Sequence, residues 1–165
     1  MPLNLELKLK VHSHRILINN LKKIGAEYKG ILSQKDIYYK IKNGLLKLRV
    51  EGKTYTLIKY MRDEKGKRWS RYELLKLEGN NPEKYLGEIF DVQAVVVKNR
   101  KLYLYNHTRV HLDDVKNLGK YIELETLKVG SKNDAQKRFA EIVEFLGLDL
   151  SRQIRSSYKT LIMKK

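Results

Sequence analysis

Apolar and polar residues alternate one by one along most of this chain. In the segment NLELKLKV (residues 4–11), the leucines at every second position are separated by Glu or Lys. A period of two is that of a β-strand with one apolar face and one polar face. Turn residues such as Gly44, Gly66 and Gly119 separate further segments of this kind. The pattern predicts about eight or nine strands, at residues 3–11, 35–42, 45–51, 54–61, 68–78, 92–98, 100–106, 108–115 and 120–127.

Three other segments have the signals of helices. The first follows Ser13 and ends at Gly25, and the second has Pro82 at its first position. The third begins after Asn133 and ends at Gly147, with apolar residues recurring at three- and four-residue intervals. A few helices with many antiparallel strands predict an α+β fold.

Composition narrows the classes of protein. At 165 residues the chain can build one substantial core, so we expect a single domain spanning residues 1–165. The absence of cysteine excludes disulfides and cysteine nucleophiles. No apolar run is long enough to cross a bilayer, and the start MPLNLELKLK lacks a signal peptide, so the expected location is the cytoplasm. The net charge of +16 favours a polyanionic partner, which could be a nucleic acid, an anionic membrane surface or a small polyphosphate.

A charged strand face recurs in several of the predicted strands. The segments LLKLRV (45–50), TRVHLDDV (108–115) and YIELET (121–126) each place charged residues on one face and aliphatic residues on the other. Two architectures suit this repetition: an open sheet with a charged outer surface, or a closed barrel with a polar lumen and helices outside. A lumen rich in Lys and Arg is expected to bind an anion. Carboxylates beside the basic residues indicate a divalent cation that bridges them to phosphate.

The ordered set of motifs resembles a known family. The residues in question are NLELK at the start, then QKDIYY, LKLRV, LIKY, VKNRKLYLY, VHLDDVKNLGKYIELE and the tail RSSYKTLI. They resemble the triphosphate tunnel metalloenzymes, or CYTH superfamily, and are most similar to its class IV adenylate cyclase-like branch. The resemblance covers nearly the whole chain. It implies a closed eight-stranded antiparallel β-barrel, the triphosphate tunnel, with helices packed outside.

The resemblance also implies a set of site residues. Mg²⁺ or Mn²⁺ would be the cofactor, and its expected ligands are Glu6, Asp113, Glu123 and Glu125. The expected catalytic residues are Lys8, Arg49, Lys59, Lys98 and Arg100. The expected substrate-binding residues are Lys10, Lys47, Arg71, Arg109, His111 and Arg155.

Some of these assignments have alternatives. Lys10, Lys47 and Arg71 lie at edge positions that could face solvent, and His111 could hydrogen-bond within the barrel wall. The acids could instead be structural partners of the basic residues. Asn4 stands where the family's Glu-x-Glu-x-Lys motif has its first Glu, which puts a second metal ion in doubt.

The function expected from the resemblance is a metal-dependent reaction on a triphosphate. The favoured reaction converts ATP to cyclic AMP and pyrophosphate. The alternative is hydrolysis of inorganic triphosphate, a nucleoside triphosphate or thiamine triphosphate. A weaker alternative is a non-catalytic polyanion- or RNA-binding protein, which the placement of most tyrosines beside aliphatic residues disfavours. We therefore expect ATP or another triphosphate as the partner rather than a membrane or nucleic acid, and a homodimer is compatible with the chain.

Overall fold

The computed structural model describes residues 3–62 and 69–165. The predicted turn residue Gly66 and the first residue of the predicted strand 68–78 lie outside these ranges. The elements are β1 (Leu3–Val11), α1 (Arg15–Lys23), β2 (Glu27–Tyr39), β3 (Leu45–Glu51), β4 (Thr54–Arg62), β5 (Trp69–Leu77), α2 (Pro82–Gly87), β6 (Val92–Tyr105), β7 (Thr108–Val115), β8 (Gly119–Leu127), α3 (Lys132–Phe145), a 3₁₀ turn (Leu150–Arg152) and α4 (Tyr158–Met163).

The eight strands form a closed antiparallel barrel in the order β1-β5-β4-β3-β2-β6-β7-β8. Closure depends on β1, which pairs with β8 from Asn4↔Leu127 to Val11↔Lys120 and with β5 over three residue pairs. The prediction of a closed eight-stranded barrel is confirmed. The ninth predicted strand does not exist, because Asn99 stays paired with Ser33 and joins segments 92–98 and 100–106 into one long strand.

The main apolar core lies outside the barrel, between the strands and two of the helices. Leu5, Leu7 and Leu9 of β1 pack there with residues of β7 and β8, under Leu21 of α1 and Ile142 of α3. The alternate residues of β1 therefore face the lumen. The charged face of the opening strand looks inward.

The helix starts were predicted with mixed success. Asn81 caps α2 as its position before Pro82 indicates, since its side chain accepts a hydrogen bond from the backbone of Lys84. The predicted N-cap of α3 is wrong. Ser131, not Asn133, caps α3 in a capping box with Asp134, which satisfies two backbone N–H groups at once. The N-cap of α1 is His14, one residue after the predicted Ser13.

One end of the barrel is closed by the C-terminal segment, which was not predicted as a helix. Tyr158 of α4 enters the barrel and packs against Tyr38, Val96 and Tyr121. The backbone N–H of Ile154 donates to the carbonyl of Lys8, which fixes the segment to β1. The C-terminal segment therefore forms the base of the lumen, which is a pocket.

Candidate active site

A cavity of about 240 Å³ fills the middle of the barrel. All eight strands contribute side chains to it, and Ser157 and Tyr158 contribute from the C-terminal segment. Ten of the fifteen site residues predicted from the sequence line this cavity. They are Glu6, Lys8, Lys47, Arg49, Lys98, Arg100, Arg109, His111, Glu123 and Glu125.

Lys59 and Arg71, by contrast, lie on the outer face of the barrel. Strand β4 turns Ile58 and Tyr60 toward the cavity, so the alternation of the strand directs Lys59 outward. There its ammonium lies 3.5 Å from the carboxylate of Glu73, and both side chains are more than half exposed. The prediction that Lys59 and Arg71 face the lumen is therefore wrong, because the alternation of the paired strands β4 and β5 directs both side chains outward.

Lys10 and Arg155 belong to the closed end of the barrel. Lys10 continues the inward face of β1, but it is exposed and its Nζ lies 5.8 Å from the ring centre of Tyr121. Arg155 is exposed on the segment that leads into α4. Neither residue lines the cavity, so their expected contact with substrate is not supported by their positions.

Asp36 anchors a cluster of three cations and was not among the residues predicted for the site. Its carboxylate is fully buried and accepts hydrogen bonds from Lys47 (3.1 Å), Arg49 (2.9 Å to each oxygen) and Lys98 (2.7 Å). Burial opposes ionisation of Asp36, but the charges of Lys47, Lys98 and Arg49 outweigh it and hold its pKa well below the usual value. Asp36 keeps these basic side chains in place at the wall of the cavity.

The ammonium of Lys98 is the most deeply buried member of this cluster. Burial lowers the pKa of Lys98 to about 7. The negative charge of Asp36 raises this pKa, whereas the positive charges of Arg100 and Arg49 lower it further. The segment QKDIYY did indicate that Asp36 lies on the same strand face as Gln34 and Tyr38, both of which line the cavity. Only the pairing of Asp36 with Arg49 on the next strand shows what it does.

Asp113 has a similar role on the other side of the cavity. Arg100 donates to both of its oxygens at 2.7 and 2.8 Å, and the hydroxyl of Tyr158 donates to Oδ2 at 2.7 Å. Asp113 is fully buried behind these partners and does not line the cavity. The expectation that Asp113 is a metal ligand is therefore corrected to a structural one: it is the counter-ion of Arg100, whose Nη2 also donates to Glu123 at 3.0 Å.

His111, Glu123 and Glu125 form a group that could hold a metal ion. One ligand atom from each lies within 4.8 Å of the others. Burial and the charge of Arg100 lower the pKa of His111 to about 3, so its imidazole is neutral and can offer a lone pair. Its Nδ1 is buried without a hydrogen-bond partner among the described residues and lies 3.4 Å from Oε1 of Glu125.

The chemistry of these donors fits a divalent cation. For Glu123, burial disfavours the charged form, but Lys8 and Arg100 outweigh it and hold its pKa well below the usual value. Two carboxylates suit Mg²⁺ or Mn²⁺, and an imidazole nitrogen is a ligand of transition metals more often than of Mg²⁺. His111 was predicted to bind substrate, and the structure places it among the candidate metal ligands. Glu6 lines the same cavity outside this group and accepts a hydrogen bond from Tyr60.

Asn4 lies beside this group. It is buried, and its Nδ2 lies 3.3 Å from Oε2 of Glu125 as a donor. Its Oδ1 has no hydrogen-bond partner among the described residues. Asn4 thus orients one carboxylate of the candidate metal site.

The charges of the lumen balance. Among the described residues, six cations line the cavity, namely Lys8, Lys47, Arg49, Lys98, Arg100 and Arg109. Six carboxylates face them, four in the lining (Glu6, Glu51, Glu123 and Glu125) and two directly behind it (Asp36 and Asp113). The net charge of +16 therefore belongs to the rest of the chain.

One wall of the cavity is uncharged. Strands β4 and β5 present Ile58 and Tyr60 opposite Leu74 and Tyr72, which are their direct cross-strand partners. Leu45 extends this surface onto β3, where it pairs with Tyr60. We call these five residues the apolar wall. The cavity thus has a charged part and an apolar part.

Comparison with known proteins agrees with a closed barrel built around a charged lumen. The CYTH domain model matches residues 3–158, and the chain belongs to this family. A Methanocaldococcus jannaschii protein named "Putative adenylate cyclase" is 26% identical over an alignment of 175 positions, which spans 96% of this chain and 98% of the relative.

Solved structures share the fold. A Pyrococcus horikoshii OT3 protein superposes with a TM-score of 0.81 at 22% identity, covering 96% of this chain and 98% of its own. The "putative adenylyl cyclase" from Hippeastrum superposes with a TM-score of 0.70 at 14% identity, covering 100% of this chain and 97% of its own. Among the described residues, no helix has the length and apolar character needed to cross a membrane.

Proposed function

We propose that this protein is a metal-dependent enzyme that acts on a nucleoside triphosphate inside the barrel, with a class IV adenylate cyclase-like reaction from ATP to cyclic AMP and pyrophosphate. The observation that carries the proposal is the division of one cavity into a charged part and an apolar part. A triphosphate chain suits the first part, and a nucleoside suits the second.

The basic residues would hold the phosphates. Arg49, Arg100 and Arg109 offer planar forks that match phosphate oxygens, and Lys8 and Lys98 offer point charges. All are held by contacts with the wall or the C-terminal segment before substrate arrives; the ammonium of Lys8, for example, donates to the carbonyl of Ser156 at 2.9 Å. Such preorganised charge stabilises the negative charge that grows on the leaving pyrophosphate.

His111, Glu123 and Glu125 would hold a divalent cation next to these phosphates. When bound, such a cation neutralises phosphate charge and makes a nearby hydroxyl more acidic. In the cyclase reaction the 3′-hydroxyl of ATP attacks the α-phosphorus, and pyrophosphate leaves. The protein would position the hydroxyl through the apolar wall and the leaving group through its cations.

The apolar wall supports a nucleoside rather than inorganic triphosphate. Inorganic triphosphate carries charge along its whole length and gains nothing from Ile58, Tyr72 or Leu74. A base gains both apolar contact and stacking on the rings of Tyr60 and Tyr72.

Hydrolysis is the second candidate, and one observation favours it. Leu74 lines the cavity yet is 55% exposed, so water has access to the mouth of the site. The solved Hippeastrum protein is described as having a dominant triphosphatase activity. In this reaction water, rather than the 3′-hydroxyl, would attack a phosphorus of the substrate.

Product analysis separates the two reactions. The protein is incubated with ATP or with inorganic triphosphate, each with Mg²⁺ or Mn²⁺, and the products are resolved. Cyclic AMP with pyrophosphate supports the cyclase, whereas ADP or orthophosphate supports the hydrolase. Turnover of neither substrate, with both metals tested, contradicts the proposal.

A further inference from the structure

The lumenal charges of the described residues do not account for the excess positive charge of this chain. The chain carries 35 Lys and Arg against 19 Asp and Glu, and the six lumenal cations are balanced by six carboxylates. A net charge of +16 on the rest of the chain costs free energy through self-repulsion. Such an excess points to a polyanion that binds outside the barrel.

A groove on the outer surface concentrates part of this charge. It has a volume of about 640 Å³ and lies between α1 and the outer face of β6 and β7. Arg15, Lys101 and Lys120 contribute cations to it, and Asp114, which pairs with Lys120 at 3.0 Å, is its acidic residue among those described. We call this the outer groove. It retains a net positive charge of two.

Two cations of the outer groove raise the electrostatic potential at the same point, the side chain of His14. Burial lowers the pKa of His14, which lies in the groove, and the charges of Lys120 and Lys101 lower it further. Both lysines thus raise the local potential at one point. Asn19 and Asn99 add amide groups to the lining, and these can hydrogen-bond sugars or base edges.

We propose that the outer groove binds single-stranded nucleic acid through its phosphodiester backbone. Proteins usually bind a single-stranded nucleic acid with Lys and Arg side chains in a groove that runs along its phosphodiester backbone. A recess between a helix and a sheet admits a flexible strand, whereas a flat anionic membrane would meet only its rims. No Tyr, Phe or Trp is among the described lining residues, so binding would depend on phosphate contacts and show little sequence preference.

The proposal predicts a salt dependence. A fluorescein-labelled 12-nucleotide single-stranded RNA is titrated with the protein at 50 and 200 mM salt, and binding is followed by fluorescence anisotropy. Three phosphate contacts at about 0.7 counter-ions each give a slope near −2, so the affinity should fall about 20-fold over this range. The same measurement with DNA of equal length tests whether the sugar is recognised.

Matched variants locate the site. The double variant Arg15→Gln/Lys101→Gln removes two groove cations and should reduce the slope by about 1.4. The control, Lys53→Gln/Lys137→Gln, removes the same charge from exposed positions outside the groove and should leave the slope unchanged. Melting temperatures of both variants are measured to confirm that they fold.

Four results would overturn the proposal. They are no RNA binding by the wild-type protein at 50 mM salt, equal loss in both double variants, displacement of RNA by the Mg²⁺–triphosphate complex at a concentration that saturates the lumen, and binding to anionic phospholipid vesicles in place of RNA. Equal loss means diffuse attraction, and displacement means that RNA enters the lumen. None of these readouts depends on turnover, so they are independent of the proposed reaction.

Discussion

The lumen and the outer surface hold charged residues in two different states. In the lumen each buried carboxylate is in contact with cations, as in the Asp36 cluster, where three basic side chains surround one acid. On the outer surface the pairs are exposed, as between Lys120 and Asp114, and cations outnumber acids. The comparison shows that net charge is a poor guide to the charge of a tunnel. The basic residues that would contact the substrate are already paired with carboxylates in the folded protein.

This balance changes how the cavity can bind a polyanion. A bare triphosphate would meet Glu123 and Glu125 as well as the cations, and the carboxylates would repel it. A triphosphate that carries a divalent cation matches both signs of charge. The lumen is therefore suited to the metal complex of a triphosphate, whereas the outer groove is suited to a polyanion without a metal.

The largest effect should come from removing a buried counter-ion. Asp36→Asn leaves Lys47, Arg49 and Lys98 without a negative partner, and breaking a buried ion pair in this way costs about 3–5 kcal/mol of unfolding free energy. The exposed acid of the outer groove is the matched control, since Asp114→Asn should cost about 0–1 kcal/mol. Denaturant unfolding of both variants measures the difference. Equal costs would remove the distinction between the two regions.

The sequence predicts the strands because alternation follows directly from the pleat. Ten of the residues that the family resemblance assigns to the site line the lumen, on β1, β3, β6, β7 and β8, where charged faces recur. The sequence misplaces Lys59 because a one-residue change of phase reverses every side chain of a strand, and phase is set by pairing with distant residues. The role of Asp36 was missed for the same reason. Helix α4 was missed because its six residues are stabilised by packing into the barrel rather than by a periodic pattern.

The next effect concerns activity. Glu123→Gln keeps the size of a candidate metal ligand and removes its charge, so we expect turnover to fall by at least about 10–100-fold and excess Mn²⁺ to restore part of it. Glu73→Gln on the outer face of β5 is the control and should leave turnover unchanged. Initial rates over a range of Mg²⁺ and Mn²⁺ concentrations provide the measurement. Normal activity of Glu123→Gln at low Mg²⁺ would exclude Glu123 as a metal ligand.

A smaller effect is expected from ligand binding. Triphosphate with Mg²⁺, at about 100 times its dissociation constant, should add about 2.7 kcal/mol to the free energy of unfolding. For a domain of this size that corresponds to roughly 5–10 °C in melting temperature. Triphosphate without metal should give a smaller shift, because the carboxylates of the lumen oppose it. If orthophosphate gives the same shift at equal ionic strength, the lumen is not a triphosphate site.

The smallest effect should come from a lysine that the sequence placed in the lumen. Lys47 and Lys59 lie on adjacent strands, where Lys47 pairs with Ile58 and Leu46 pairs with Lys59, so the two ammonium groups point to opposite sides of one sheet. Lys47→Ala removes a charged donor from the cavity and should weaken triphosphate binding by about tenfold or more. Lys59→Ala removes only an exposed pair with Glu73, and we expect a change in unfolding free energy within about 0.5 kcal/mol and unchanged affinity. Calorimetric titration of both variants with the Mg²⁺–triphosphate complex decides between them. Loss of binding in Lys59→Ala with normal binding in Lys47→Ala would mean that the β3–β4 hairpin has the opposite phase, and the apolar wall would then face solvent.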